Sequence, residues 1–492
     1  MASEISSKDN IIAGILKYSI STWVNLLVGF ISVIITTRIL NPEVYGMVMI
    51  FFSSTNVLLY IATLGLDGAL IRFYNNPPKG NTTTQLLYKS LVISSSYFFF
   101  LGTFCIYFFN SAISDFIFGV ESLLLVVMLF AYTFFQITLR FLNISLRMSF
   151  KTIQYNIQNI LINSFTRVLI IVAAIIIKKF SSIISVITIG IGLVLILYLF
   201  IQREEITPIN SNGKKDFNLN LKHYSTYFKF ALFSAPTYIV AFLNIFLGQQ
   251  IIRSTLNAYS LGIFSSPGMF VSILTAIRGG FSTYWSAFVY KYYKVESNRI
   301  ALMHDYIVVI AIAVASILVV FRDFIYLFIG ANFHESKQFF SLLLVMPILN
   351  LVVETTDKGI AIAMKNDITL ISHLVSVMIN VVLCYFLIPL FGLKGAAYAN
   401  ATSAVFLFII STIFGQKYYF SITNSKKSII GIIIILMILI IPSIFSSIVP
   451  ILIFTFFINI LAIIIYNVEA KNILKFCFEK IDITLCTNKR KK

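Results

Sequence analysis

Residues 428–468 read SIIGIIIILMILIIPSIFSSIVPILIFTFFINILAIIIYNV, 41 consecutive residues without a Lys, Arg, Asp or Glu. As one helix this stretch would be about 61 Å long at about 1.5 Å per residue, twice the roughly 30 Å hydrocarbon core of a bilayer. It therefore folds back as a hairpin of two membrane spans, turning near Ser446 to Pro450. The same ruler works outward along the chain. Uncharged intervals run from Tyr18 to Thr37, Val44 to Leu66, Ser90 to Ser114, Ser122 to Leu139, Phe180 to Gln202, Phe230 to Ile252 and Ser254 to Ile277, each long enough for one crossing. Further spans follow at about 303–321, 339–365, 368–391 and 395–416, and one at about 155–177 is interrupted only by Arg167. With the hairpin the total is fourteen, so the expected fold is an all-α polytopic membrane protein.

Composition agrees. Of 492 residues, 59% are hydrophobic, 15% aromatic and only 11% charged, with a mean hydropathy of +0.92. A water-soluble chain carries about a quarter charged residues, so the solvent here is lipid. The net charge of +18 would suit nucleic acid, but the basic residues lie between apolar runs and read as membrane-surface charges. With the N-terminus in the cytoplasm, 28 of the 37 Lys and Arg fall inside; Arg38, Lys178, Lys179, Arg253, Arg322, Lys337 and Lys394 fall outside, and Arg167 and Arg278 fall within spans. That imbalance places both termini in the cytoplasm. The first apolar run is too long for a signal-peptide core and no small-residue cleavage site precedes it, so it should remain as an anchor helix. Cys105, Cys384, Cys477 and Cys486 have no metal or disulfide spacing, and four dispersed histidines add none. No metal centre and no catalytic residue is expected.

The longest polar connection, Arg203 to about Tyr227, separates six helices from eight. This gives five segments: residues 1–202 as a six-helix bundle, 203–227 as a cytoplasmic linker, 228–417 as a second six-helix bundle, 418–468 as the added hairpin, and 469–492 as a basic cytoplasmic tail. The two bundles look duplicated. Span 1 leads to Arg38 and then Tyr45-Gly46; span 7 leads to Arg253 and then Tyr259 and Gly262. Arg140 precedes Arg147 by seven residues at the end of span 4, and Lys358 precedes Lys365 by seven at the end of span 10, so each pair should stack two turns apart on one helix face. Two related six-helix units imply pseudo-symmetry about the membrane normal and a central cavity.

Charges inside spans cost about 2.5–3.5 kcal/mol on insertion scales and need a partner or water. Arg167 is too deep to snorkel easily to either surface and should face the protein interior, as a cation for an anionic substrate or a tie to neighbouring amides. Arg278 sits beside Gly279-Gly280 in a segment with Pro267-Gly268, which predicts a bent helix with close backbone approach. Arg140 reaches the inner interface. Near the middle of span 10, Glu354 and Lys358 form an i,i+4 pair while Asp357 is left over, making Glu354 and Asp357 candidates for H+ or Na+ coupling. Asp67 and Arg72 close span 2 as a helix-end ion pair, with Asp67 a further coupling candidate. Asn25, Asn56, Gln136, Asn159, Asn163, Gln249, Gln250 and Asn380 read first as glue between helices and second as partners for sugar hydroxyls. The Asn81-Thr82-Thr83 sequon falls on the cytoplasmic side.

The chain resembles the Wzx-type O-antigen and capsule flippases, in the polysaccharide-biosynthesis branch of the multidrug/oligosaccharidyl-lipid/polysaccharide exporter superfamily. The resemblance rests on TRILNPEVYG (37–46), LGLDGALIR (64–72) and IPLFGLKGAA (388–397) in that order. It implies two helix bundles in a MATE-like fold, a cationic cavity, and alternating access that moves an undecaprenyl-diphosphate-linked oligosaccharide outward across the bacterial cytoplasmic membrane. The family's lumen cations would map to Arg167, with Arg140, Arg278 and Lys358. A polysaccharide polymerase and a chain-length regulator are the protein partners such a role implies, with the lipid bilayer as surroundings, no nucleic acid and no resident cofactor. Span 1 carries neither Arg nor Asp, unlike the arginines expected of a lipid II flippase or the membrane acid of many drug exporters. The alternatives are a polytopic polymerase or glycosyltransferase, and a drug or other glycan-precursor exporter of the same superfamily. For the enzyme, the outer loops at about Asn110 to Glu121 and Arg322 to Gln338 hold acids but no acid–base pair at useful spacing.

Overall fold

The computed structural model describes residues 2–78, 81–209, 214, 215, 217, 225–445, 447–472 and 475. About half of the linker expected at 203–227 and most of the 469–492 tail lie outside them. Among the described residues the chain is helical, with a single isolated bridge between Ile209 and Lys215. Twelve helices are long and apolar enough to cross a membrane, or fourteen when each of two broken pairs counts as one span. The chain is a multi-pass membrane protein with the predicted all-α architecture.

Packing divides it into two compact units, residues 1–269 with 329–333, and residues 270–328 with 334–492. The first holds α1 (Ala2–Ile39), α2 (Pro42–Thr63), α3 (Leu66–Phe73), α4 (Thr83–Phe118), α5 (Leu123–Met148), α6 (Thr152–Ile176), α7 (Phe180–Ile201), α8 (Arg203–Ile206), α9 (Ser225–Thr255) and α10 (Ala258–Ser265). The second holds α11 (Gly268–Tyr292), α12 (Ser297–Val320), α13 (Arg322–Tyr326), α14 (Phe340–Leu343), α15 (Val345–Thr356), α16 (Lys358–Ile362), α17 (Asn366–Phe391), α18 (Leu393–Tyr418), α19 (Ser425–Ile440) and α20 (Ile448–Ile465). A 3-10 turn at Ala331–Gln338 precedes α14. By packing, the spans at α9 and α10 group with the first six rather than with the later ones.

Local chemistry sets the helix ends. Thr82 of the Asn81-Thr82-Thr83 sequon caps α4, its hydroxyl accepting from Gln85 N while Gln85 Oε1 accepts from Thr82 N at 3.0 Å. Span 2 breaks at Leu64-Gly65, both with positive φ, and span 8 breaks at Ser266-Pro267, where proline cannot continue the helix ladder. The final hairpin turns at 441–447, slightly before the predicted position, because Pro442 opens a 3-10 turn there and Pro450 is accommodated in the first turn of α20. Outward rows of apolar residues, such as Phe108, Phe200, Phe233 and Leu390, stay exposed as lipid requires. The first unit packs Leu66, Leu70, Leu86, Phe98, Phe130 and Phe141 into its core, and the second packs Trp285, Val289 and Ile300.

The two glycines that mark the sequence repeat meet each other. A Cβ on Gly46 would lie 2.3 Å from Ala258 O and 2.6 Å from Gly262 N; one on Gly262 would lie 1.8 Å from Pro42 O. Each glycine thus gives room to the backbone that carries the other, the reciprocity expected of symmetry-related elements. Arg253, one of the cations expected on the outside, donates to Phe116 O at 2.8 Å and Asp115 O at 3.2 Å, closing the C-terminal end of α4.

Backbone geometry also corrects the register of the repeat. Phe150 and Met364 both have φ 57°, and each is followed by a Lys whose N–H reaches five residues back, Lys151 to Leu146 O and Lys365 to Ile360 O, both at 3.0 Å. The same offset separates Lys178 from Gly392, again with positive φ (54° and 57°). Applied to span 4, it pairs Arg140 with Glu354 rather than with Lys358, one helical turn from the match expected from sequence. The stacking predicted for Lys358 and Lys365 fails as well, because α16 ends at Ile362 and Lys365 caps α17.

Gly262→Ala is therefore expected to cost about 1–3 kcal/mol through overpacking, seen as a lower Tm of the detergent-purified protein. Gly280→Ala, where a methyl meets nothing within 4 Å, should not lower it.

Candidate functional site

An ionised side chain in a span reveals its role by what answers its charge. Arg140 on α5 meets Asp67 on α3, with Nη2 at 2.6 Å and Nε at 2.8 Å from Oδ2. Asp67 is buried, whereas the Arg140 side chain retains 33% exposure. The helix-end pair predicted between Asp67 and Arg72 is not formed; Arg72 lies over the Phe73 ring instead, because the break at Leu64-Gly65 starts a new helix that turns Asp67 toward α5. Arg140 also covers the Tyr60 ring at 5.0 Å and donates to its hydroxyl at 3.4 Å.

The second unit holds the counterpart with its signs exchanged. Arg278 Nε on α11 donates to Glu354 Oε1 at 3.0 Å, Ser282 donates to Oε2 at 2.8 Å, and Lys358 Nζ lies 2.7 Å from the same Oε2, forming the predicted i,i+4 pair. Glu354 sits where the register places Arg140 in the first unit. Asp357 lies between α15 and α16; its Oδ1 is buried without a hydrogen bond, 3.6 Å from Lys358 Nζ. The close backbone approach predicted at Gly279-Gly280 is absent. A Cβ on Gly268, Gly279 or Gly280 would meet nothing within 4 Å, so the face beside Arg278 is open rather than packed. Close approach occurs instead at Gly359 and Gly415, whose added Cβ atoms would lie 2.0 Å from Gly415 O and 2.1 Å from Thr356 O.

Arg167 on α6 differs from both clusters. Among the described residues no carboxylate lies within ion-pair distance of it. Its guanidinium rests against Gly29 of α1, where an added Cβ would come within 3.2 Å of Cζ and Nη1, and its electrostatic neighbours are the buried hydroxyls of Tyr45 and Tyr132. Phenols soften a guanidinium's desolvation without neutralising it. Amides elsewhere along α1 and α6 tie the two helices together. Asn156 Oδ1 accepts from Ser21 N, Asn159 Nδ2 donates to Ser21 Oγ at 3.0 Å, and Ser164 Oγ donates to Asn25 Oδ1 at 2.6 Å, so they join α1 to α6. Gln136 donates to Tyr132, and Gln250 to Phe116 O.

Two groups went unread in the sequence. His304 joins Thr355 and Ser428 at 2.8 and 2.7 Å, and Lys427 joins Glu469 at 2.7 Å with Asp305 at 3.6 Å, anchoring the final hairpin to α12. Tyr60 stacks with Tyr238 and Phe242 of α9. Among 48 Phe and 25 Tyr no single ring stood out. Outside the spans, burial opposes ionisation of Asp323, but hydrogen bonds from Lys337 and Arg322 prevail and hold its carboxyl below the usual range. Its contribution to stability is present above the unfolded-state value and is lost as pH falls through the lower folded-state one. Among the described residues no group of three or more His, Cys, Asp or Glu is placed to hold a metal ion.

Comparison with known proteins agrees with this architecture. A family model described as polysaccharide biosynthesis protein matches residues 11–290, more than half of the chain. The chain belongs to that family, within the multidrug/oligosaccharidyl-lipid/polysaccharide superfamily. No curated protein sequence matches it. Among solved structures, the lipid II flippase MurJ in an inward closed conformation is similar with a TM-score of 0.68 at 15% identity, covering 94% of this chain and 99% of that one. The MATE multidrug transporter DinF-BH gives 0.56 at 15% identity (83% and 95%), and an inward-facing MATE family transporter gives 0.55 at 14% (82% and 97%). At these identities the likeness is one of fold.

Replacing Asp67 with Asn is expected to destabilise the protein by about 1–2 kcal/mol, less than for stranding a fully buried charge, because Arg140 keeps a third of its side chain exposed. Combining it with Arg140→Gln should recover more than half of the loss. Chemical or thermal denaturation of the four proteins of this double-mutant cycle checks the coupling.

Proposed function

We propose that this protein flips undecaprenyl-diphosphate-linked oligosaccharide repeat units from the inner to the outer leaflet of the bacterial cytoplasmic membrane, for surface polysaccharide of the O-antigen or capsule kind, with both termini cytoplasmic. The carrying observation is Arg167. Arg140, Arg278 and Lys358 each already have a carboxylate, whereas among the described residues none lies within ion-pair distance of Arg167, which rests against Gly29 with the phenols of Tyr45 and Tyr132 as electrostatic neighbours. A half-buried guanidinium without a counter-ion offers a diphosphate charge-assisted, bidentate donors in a low-dielectric setting. Membership of the polysaccharide biosynthesis family and a fold shared with a lipid-carrier flippase support the same reading.

Arg140, Arg278 and Lys358 then act as secondary cations, reached by the headgroup only when it displaces their carboxylates. Glu354, Asp357 and Asp67 are the groups through which H+ or Na+ would couple to transport, and Asp357, with an oxygen lacking a hydrogen bond, is the first to test. A polysaccharide polymerase and a chain-length regulator are the proposed partners downstream. The polymerase or glycosyltransferase alternative gains nothing from the outer loop at 322–338, where Asp323 is held by Arg322 and Lys337. The drug-exporter alternative rests on a MATE fold likeness without sequence support.

The test is the leaflet location of lipid-linked oligosaccharide, read with a membrane-impermeant sugar probe on sealed inner-membrane vesicles of known orientation. Without the gene, single repeat units should collect on the cytoplasmic face; units displayed on the outer face would sink the flippase reading and favour the polymerase. In the complemented strain, Arg167→Ala should abolish export with the protein still inserted and abundant, while Arg167→Lys retains part of it. Equal export by all three would remove Arg167 from the site.

A further inference from the structure

The geometry points to a carbohydrate platform in the first unit, built from Tyr60, Tyr238 and Phe242 beside the Arg140–Asp67 pair, that takes a pyranose ring of the substrate. The inference rests on the flippase reading for where the sugar comes from, but its chemistry is local. Tyr60 on α2 lies nearly parallel to two rings on α9, Tyr238 at 5.6 Å and 14° and Phe242 at 4.6 Å and 20°. Most other aromatic contacts in the first unit are edge-on or tilted, as at Phe51–Tyr132 (65°) and Phe73–Phe230 (88°). Stacking on Tyr60 fixes the plane of the Tyr238 ring, and Tyr238 is 49% exposed, so part of that ring is accessible from outside the protein.

What it faces is set by its neighbours. Arg140 keeps a third of its side chain exposed well inside α5, and a charged group exposed in a span faces water rather than lipid. Tyr238 stacks on the Tyr60 ring that Arg140 covers, so it lies beside the same exposed guanidinium. The ion pair is also unsaturated. Both Arg140 contacts to Asp67 use Oδ2, and Arg140 uses only Nε and Nη2, leaving Nη1 free to donate. A pyranose has an apolar C–H face and a rim of hydroxyls that both donate and accept. Flat aromatic faces next to a free guanidinium N–H, a carboxylate and two phenols match both parts. An anionic group alone would find here a cation whose charge is already answered, so the platform suits the sugar and leaves the diphosphate to Arg167.

The test uses the full-length protein in lipid nanodiscs with two probes, a panel of methyl pyranosides followed by saturation-transfer NMR, and sugar-free undecaprenyl diphosphate followed by co-purification. Wild type should transfer saturation to the ring C–H protons of at least one methyl pyranoside. Tyr238→Leu, which keeps apolar bulk at a half-exposed position, should reduce that signal about fivefold, as should Phe242→Leu, while Tyr238→Phe restores most of it. Undecaprenyl diphosphate should bind wild type and Tyr238→Leu alike. Absence of pyranoside signal in wild type, or equal signal in wild type and Tyr238→Leu, overturns the platform whatever the carrier does. Pyranoside binding that follows the ring substitutions while undecaprenyl diphosphate fails to bind wild type would support the platform and overturn the diphosphate reading instead.

Discussion

A charge inside a bilayer span has to be answered by an opposite charge, by hydrogen-bonding groups or by water, and this requirement organises both units of the protein. In the first it ties α3 to α5 through Asp67 and Arg140; in the second it ties α11 to α15 and α16 through Arg278, Glu354 and Lys358. Glu354 occupies the place of Arg140 by register, so cation and anion are exchanged there, and each unit is held internally by its own ion pairs. Against that background Arg167, with no carboxylate in ion-pair distance among the described residues, is a charge that a transported anion would answer.

The second constraint is steric. Association of helices in lipid gains little from the hydrophobic effect and depends on backbone approach and hydrogen bonds. The reciprocal contact of Gly46 and Gly262 and the close approach of Gly359 to Gly415 supply the first, each glycine making room for a backbone carbonyl of a neighbouring helix. Asn25, Asn159 and Ser164 supply the hydrogen bonds between α1 and α6. Amides so engaged hold the two helices together.

Much of this was legible in the sequence, because bilayer thickness converts directly into a length of uncharged residues. Span positions, the final hairpin, the broken eighth span and the Glu354–Lys358 pair all follow from spacing along one helix. Contacts between helices do not. Asp67 pairs with Arg140, 73 residues away, rather than with Arg72 in its own helix, since the break at Leu64-Gly65 reorients it. The glycines beside Arg278 gave a wrong expectation because a Gly-Gly pair signals close packing or open space equally well, and here the space is open. The register of the repeat slipped by one turn because basic helix ends are common, whereas the positive-φ residues Phe150 and Met364 that fix it carry no distinctive residue type. The aromatic stack on α9 was hidden by the abundance of Phe and Tyr.

The central claim is that Arg167 is the charge reserved for the carrier's diphosphate, and binding in a defined bilayer tests it most directly. Wild type, Arg167→Gln and Arg167→Lys would be reconstituted in nanodiscs and their affinities for undecaprenyl diphosphate and for uncharged undecaprenol compared at two salt concentrations. The account predicts that wild type prefers the diphosphate, that Arg167→Gln weakens it about tenfold or more, as expected for loss of a charge-assisted pair, and that Arg167→Lys falls between them, with undecaprenol unchanged throughout. Equal diphosphate affinity in wild type and Arg167→Gln would contradict it.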